Sequence, residues 1–443
     1  MKNVDVLIVG GGVTGSSLLF LLSRYTNIKK VALIEKYDSL ASLNSNRNNN
    51  AQTLHLGEIE TNYTYEKAKA TRDASKLIIG FNNTFLRKRD RNVLKTCQEL
   101  VLAIGDKEIE QLRDYFDTVE DLFPKLRVIG KNEISKREPK TMEGRNPKEK
   151  VEAIMPKQGY MVDFGLLTYY FASLASAYNK EAEVFLNTRL DMIKRKDSLF
   201  ECLTNKGLIK AKFVVFAAGT YSLFFAKKMN YGKNLEIFSV GGNFYISKRF
   251  LRGKVYRVQL RGIPFAAIHA DPDIRDPTIT RFGPTVNSPL LLERKHYDTF
   301  LDYLSTFDLD IDTLKSIKNI LGDRRISRIL AKNIGYGIPL LGKYLFLKLE
   351  AGRIVPTLKY SDLKFDRKLG GIRPQIINKE KHSLSLGESK LSYDGIIFNI
   401  TPSPGASSCI YGAYEDSKRI CEYLNKEFDE KKFESEIEKP SQY

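Results

Sequence analysis

Val4-Asp5-Val6-Leu7-Ile8-Val9-Gly10-Gly11-Gly12-Val13-Thr14-Gly15 lies at the start of the chain, and Ser16 to Tyr25 continue it as a largely apolar run. The first six residues predict a short buried strand, and the glycines and apolar run after them predict a helix entered through a tight turn. A second strand, Val31-Ala32-Leu33-Ile34, then ends on Glu35 and Lys36. Each part has a task. Gly10 permits the tight turn, Gly12 and Val13 bring backbone amides to a pyrophosphate, and Gly15 lets helix approach strand. Glu35, 20 residues beyond Gly15, stands where a carboxylate accepts from the hydroxyls of an adenosine ribose. Strand, glycines, helix, strand and acid in register predict a dinucleotide-binding βαβ unit.

That unit by itself admits NAD or FAD, and the rest of the chain favours FAD. Regular βα repeats do not continue the pattern. Instead Leu40 to Gly57 form a polar loop rich in Asn and Ser, suited to tracking an extended cofactor. Phe213 to Phe216 read as a buried strand ending in Ala217-Ala218-Gly219-Thr220, small residues that let backbone lie against a dinucleotide. A hairpin-like stretch, Val184 to Lys212, precedes it. Gly395 to Ile400 read as a further strand, and Thr401-Pro402-Ser403-Pro404-Gly405-Ala406-Ser407 as a turn opening a helix. A helix N-terminus aimed at a flavin ring stabilises the negative charge of the reduced ring. The nucleotide domain is therefore expected to be discontinuous: residues 1–80, 155–235 and 365–443, with 81–154 and 236–364 forming the substrate domain.

The 443 residues are too many for one compact core, so two domains are expected. Cys97, Cys202, Cys409 and Cys421 are scattered without CxxC spacing, and the four histidines are equally dispersed. This points to a reducing compartment and away from a metal site. The net charge of +18 fits a solvated basic surface, or attraction to anionic lipid or to a dianionic substrate. Nothing resembles a nucleic-acid-binding module. No apolar run is long enough for a transmembrane helix. Asp5 and the glycine pattern also argue against reading the first residues as a signal peptide, so a cytoplasmic protein is expected.

With these segments in place the chain resembles the malate:quinone oxidoreductases, in their short bacterial form, within the D-amino-acid-oxidase-like flavoproteins. The resemblance rests on Gln52-Thr53-Leu54-His55 with Glu58 to Thr64, and on Pro264 to His269 with Asp271-Pro272-Asp273. Arg281 to Thr285, Gly371 to Gln375 and Thr401 to Ala406 carry the remainder. Val258 to Ile263 depart from the family's pattern, in which Asn and Pro follow the Gln. Similar enzymes oxidise L-lactate or L-2-hydroxyglutarate, which is the alternative reading.

The resemblance implies non-covalent FAD, malate as electron donor and a membrane quinone as acceptor. It also implies peripheral attachment to an anionic membrane, on the inner face of the cytoplasmic membrane. The implied fold is a Rossmann-type α/β domain with an inserted mixed-sheet α+β domain. Besides the βαβ residues, Ser45, Gln52, Thr53, Arg189, Ala218, Gly219, Gly371, Pro404, Gly405 and Ala406 are the expected cofactor contacts. Oxidising a secondary alcohol also needs a base and cations for carboxylates. Arg373, in its Gly-x-Arg-Pro setting, is expected to clamp a carboxylate, with Arg281 on a second carboxylate and Gln52 nearby. His269, closing an apolar run, is the first choice of base, and His55, in the loop beside the ring, the second. His296 and His382 read as solvated. Arg324 to Lys348 interleave basic and apolar residues as an interfacial surface would.

Overall fold

The computed structural model describes residues 2–86, 90, 92–259, 267–338, 340–385, 389–400 and 405–441. Pro404 and the segments 260–266 and 401–403, on which part of the resemblance rests, lie outside the described residues.

The opening motif folds as its spacing requires. Strand β1 (Lys2–Val9) enters helix α1 (Val13–Tyr25), which returns to strand β2 (Val31–Ile34) parallel to β1. Gly10 adopts φ +116°, and a Cβ there would lie 2.5 Å from the Ala217 carbonyl oxygen. A Cβ on Gly15 would come within 2.1 Å of the Gly10 carbonyl oxygen, so helix and turn touch through backbone. Almost every residue of α1 is buried, because the helix lies between the sheet and two others, Phe164–Tyr178 and Cys409–Leu424. A helix apolar on all sides belongs in such a layer. Phe20 at its centre meets Phe81, Phe85 and Phe171 edge-on or stacked.

The first sheet runs Ser389–Tyr393, Ile396–Ile400, Gly207–Phe216, β1, β2, Ala182–Phe185. From Ile396–Ile400 to Ala182–Phe185 the pairings are parallel. The expected hairpin is present: Leu190–Lys196 and Leu199–Thr204 pair antiparallel and extend from Gly207–Phe216. The second sheet is built on the long strand Leu235–Lys248, flanked by Ile372–Asn378 and Ile279–Asn287, and continues to Arg127–Gly130. Its pairings are antiparallel except between Lys254–Arg257 and Glu99–Ile104. This is the discontinuous nucleotide domain with an inserted mixed-sheet domain. One boundary differs from the expected 365: Lys364–Asp366, Ile372–Asn378 and Ser383–Leu384 pair within the second sheet. They return the chain along Leu235–Lys248 before it rejoins the first sheet at Ser389.

Register in the second sheet sets which residues stand opposite one another. Arg373 faces Val240, Asp271 faces Arg281, and His269 stands opposite both Gly283 and Tyr256.

Candidate active site

Two cavities meet where the sheets approach each other. The larger, about 980 Å³, is lined by Gly10 to Thr14, Glu35, Lys36, Ser45, Arg189, Ala218 and Gly219. The smaller, about 490 Å³, is walled by the Asn44 to His55 loop, His269, Arg373 and Gly405. Asn44, Asn49, Gly371, Ile372, Pro374 and Ala406 line both, so one elongated molecule can occupy the larger cavity and reach the smaller.

The larger cavity has the chemistry of a dinucleotide site. Helix α1 has no side-chain cap from Gly12 and no acid in its first turn. Its positive end faces the cavity, where Ser45 Oγ accepts from the Val13 amide at 2.9 Å. Such an end holds a pyrophosphate. Glu35 accepts from the Gly11 and Tyr37 amides at 2.7 and 2.9 Å. Burial raises its carboxyl, an effect these two amides oppose. Lys36 pairs with Glu293 at 2.8 Å, and Arg189, exposed at the rim, pairs with Asp191. His296 is not simply solvated: its ring lies 3.3 Å from the Tyr37 hydroxyl and lines this cavity. His382 lies elsewhere, 3.1 Å from Ser316 Oγ.

The smaller cavity gathers ionisable groups. Arg373 is half-buried and no acidic side chain among the described residues pairs with it. Burial lowers its pKa, with only Tyr63 opposing. A partly buried guanidinium without a counter-charge is a place for an anionic ligand. Lys67 also lines the cavity. It occupies the first turn of the helix Tyr65–Phe81, behind the Thr64 cap, where the helix dipole disfavours a cation.

The two histidines differ in setting. His55 Nδ1 lies 2.5 Å from Glu60 Oε1, and both residues line the cavity. His269 is almost fully enclosed. Its Nδ1 lies 3.4 Å from the Ala267 carbonyl. Its Nε2 is buried 3.2 Å from Asp271 Oδ1 without the alignment of a hydrogen bond. Burial lowers its pKa more than Asp271 raises it, so the ring is neutral.

Arg281 lines neither cavity. It is fully buried, donates to Asp271 at 2.6 Å and reaches the Asn50 and Ala51 carbonyls at 3.4 and 3.3 Å. Lys254, equally buried, donates to Ala51 O at 2.9 Å and to Thr53 Oγ1 at 2.8 Å. Thr53 in turn meets the Tyr256 hydroxyl at 2.6 Å. Burial opposes ionisation of Asp271, but Arg281 and Lys254 outweigh it and hold the carboxyl far below the usual range. This buried network of two cations around one carboxylate braces the Asn50 to Thr53 segment from behind. Gln52, at φ +53°, is fixed the same way, donating to Asp273 and accepting from the Ile274 amide, each at 2.8 Å. The place expected for Arg281 at a second carboxylate is therefore held by structural ion pairs, and Lys67 is the cation exposed to the cavity.

Beside Glu60, burial and repulsion from Glu60 push the Glu58 carboxyl from the usual 4.5 up to about 8. Between these values the folded chain keeps a proton that the unfolded chain releases, so stability falls as pH rises through that window. Glu58→Gln removes the dependence. Relative to wild type it should gain about 2–4 kcal/mol on going from about pH 5 to about pH 8, read as a widening gap in urea midpoints. A gap of constant size would show that Glu58 is ionised in the folded protein.

The fold and the joined cavities define the architecture of an FAD-dependent oxidoreductase. The structure is similar to L-α-glycerophosphate oxidase from Mycoplasma pneumoniae, with TM-score 0.65, 19% identity and 95% of each chain covered. Glycine oxidase from Geobacillus kaustophilus gives TM-score 0.65 at 17% identity, again over 95% of each chain. The sequence is 39% identical to the probable malate:quinone oxidoreductase of Campylobacter jejuni subsp. jejuni, over 98% of this chain and 99% of that one. It is 36% identical to the malate:quinone oxidoreductase of Helicobacter pylori strain J99, over 98% of this chain and 97% of that one. The family profile for malate:quinone oxidoreductase (Mqo) matches residues 2–284. The chain belongs to the malate:quinone oxidoreductase family.

Proposed function

We propose that the smaller cavity is where this chain oxidises (S)-malate to oxaloacetate, with the electrons passing to a quinone. The observation that carries the reading is the Arg373 guanidinium, free of an acidic partner among the described residues, beside a His55–Glu60 pair in one cavity. FAD is the cofactor, held by the positive end of α1 around Gly12 to Thr14, with Ser45 and Glu35, at its nucleotide end and by Gly371 and Ala406 at the junction of the cavities. When bound, it supplies the acceptor for the hydride leaving C2 of malate.

The residues of the chain do the rest. Arg373 clamps one carboxylate through its planar fork, and Lys67 takes the second as a point charge. His55 accepts the proton of the C2 hydroxyl. Donation from Nδ1 to Glu60 fixes the tautomer in which Nε2 carries the lone pair, and the carboxylate then stabilises the imidazolium. His269, its Nε2 turned toward Asp271, is a supporting residue in this reading, so the two histidines exchange the roles their sequence contexts suggested. The excess of positive charge supports peripheral attachment to an anionic membrane surface on the cytoplasmic side. No helix among the described residues is long and apolar enough to cross a membrane.

The test uses purified protein under anaerobic conditions. Denaturation should release FAD, malate should bleach the bound flavin, and reduction of a quinone analogue should not depend on added NAD. Release of FMN would sink the cofactor assignment. Bleaching by L-lactate or L-2-hydroxyglutarate but not malate would move the substrate to the alternative.

A further inference from the structure

Three neighbouring helices, Ile311–Gly322, Arg324–Tyr336 and Leu341–Phe346, lie over one part of the second sheet. Their outer surface is apolar to a degree that a water-facing surface is not. Ile311, Leu314 and Leu321 form one exposed stripe on the first helix. Ile334 is 73% exposed, Leu340 82%, and Leu341 lies beside it. Leu340 is also held at φ +63°, a conformation that costs a leucine energy and gains it no buried contact. Basic residues accompany them. Lys318 falls within the stripe, and Arg324 and Arg328 lie on the outer face of the second helix without an ion pair among the described residues. Leucines projecting among unpaired cations suit an anionic lipid interface, where apolar side chains enter the acyl boundary and the cations meet headgroups.

The inner side of the same helices is what makes this face more than an anchor. Ile320, Ile326, Ile329 and Leu330 pack on Val240 and Val286, and Val240 and Val286 line the cavity that holds Arg373 and His55. Asn333 secures the contact by accepting from the Val286 amide at 2.6 Å. Among the described residues of this cluster Val240 and Ile326 are buried and the others partly so. A single, loosely enclosed apolar layer thus separates the cavity from the exposed leucines.

We propose that this face rests on an anionic bilayer, and that the seam between Ile326–Leu330 and the Val240/Val286 wall admits a lipid-dissolved isoprenoid quinone to the cavity. The proposal rests on the reading of that cavity as the site of malate oxidation. The stoichiometry closes without another reactant. Malate gives up two electrons and two protons in becoming oxaloacetate, and the quinone takes up two of each in becoming the quinol.

The chain contains no tryptophan, so a single introduced one reports its own surroundings. In the holoenzyme, Leu340→Trp should blue-shift and be quenched by brominated lipid when phosphatidylglycerol vesicles are added, and the effect should reverse in high salt. Tyr169→Trp, exposed on the nucleotide domain, should show neither change. Quenching of both reporters, or of Tyr169→Trp alone, overturns the face. For the path, Ile329→Trp fills the seam. The KM for a long-chain quinone in phosphatidylglycerol vesicles should rise at least tenfold, read against anaerobic flavin reduction by malate in the same preparation. An unchanged KM overturns the path. If that variant loses its flavin, Leu330→Phe, a smaller addition at the same seam, is read by the same criterion. Failure of malate to bleach the wild-type flavin would instead count against the reading of the cavity, independently of both reporters.

Discussion

Arg373→Lys is expected to lower kcat/KM for malate by about 30- to 5,000-fold, equivalent to roughly 2–5 kcal/mol of lost interaction. Lysine keeps the positive charge but has no planar fork, and its shorter reach leaves a carboxylate less well paired. FAD content should be unchanged, because Arg373 does not line the nucleotide cavity. The rate of anaerobic flavin reduction against malate concentration, together with flavin released per chain, makes the measurement. Reduction at close to the wild-type rate would refute the carboxylate clamp.

His55→Gln should lower kcat by about 10²- to 10⁴-fold and remove the pH dependence that a protein base gives to flavin reduction, while malate still binds. Glu60→Gln should fall between this variant and wild type. Its amide can still accept from Nδ1, but it no longer neutralises the imidazolium formed as the proton arrives. His269→Gln should keep the pH profile, because the wild-type ring is buried, neutral and turned toward Asp271. The pH profile decides the assignment. Its loss in His269→Gln and survival in His55→Gln would return the role of base to His269.

What the sequence made legible was local. From Val4 to Glu35 each element succeeds the last within a few residues, so turn, helix and acid are bound by spacing alone. Arg373 stands out in the sequence because its Gly-x-Arg-Pro setting travels with it, and the structure places it in the wall of the smaller cavity. The partners of these residues were not, because folding brings them together across the chain. Glu60 sits five positions after His55 in a turn, a spacing with no periodic signature. Lys67 reads as one more surface lysine of a helix until the cavity beside it is known. Arg281 misled for a related reason. A lone arginine in a strand reveals its charge but not its neighbour, and Asp271 faces it only through the antiparallel register of two strands. His296 likewise acquires its place through Tyr37, from another domain segment.

The order of strands in the first sheet sets a timetable for biosynthesis. β1 leaves the ribosome well ahead of Gly207–Phe216, which completes one of its edges, and further ahead still of Ile396–Ile400, with which that strand pairs in turn. A nascent chain therefore carries its glycine turn with one flank of the sheet missing until those strands appear. Ala406, which closes the junction of the two cavities, emerges later still. Pairings so distant in sequence form slowly, since loop closure must precede any gain from contact. Completion of the cofactor site thus waits on strands far downstream of the glycine turn.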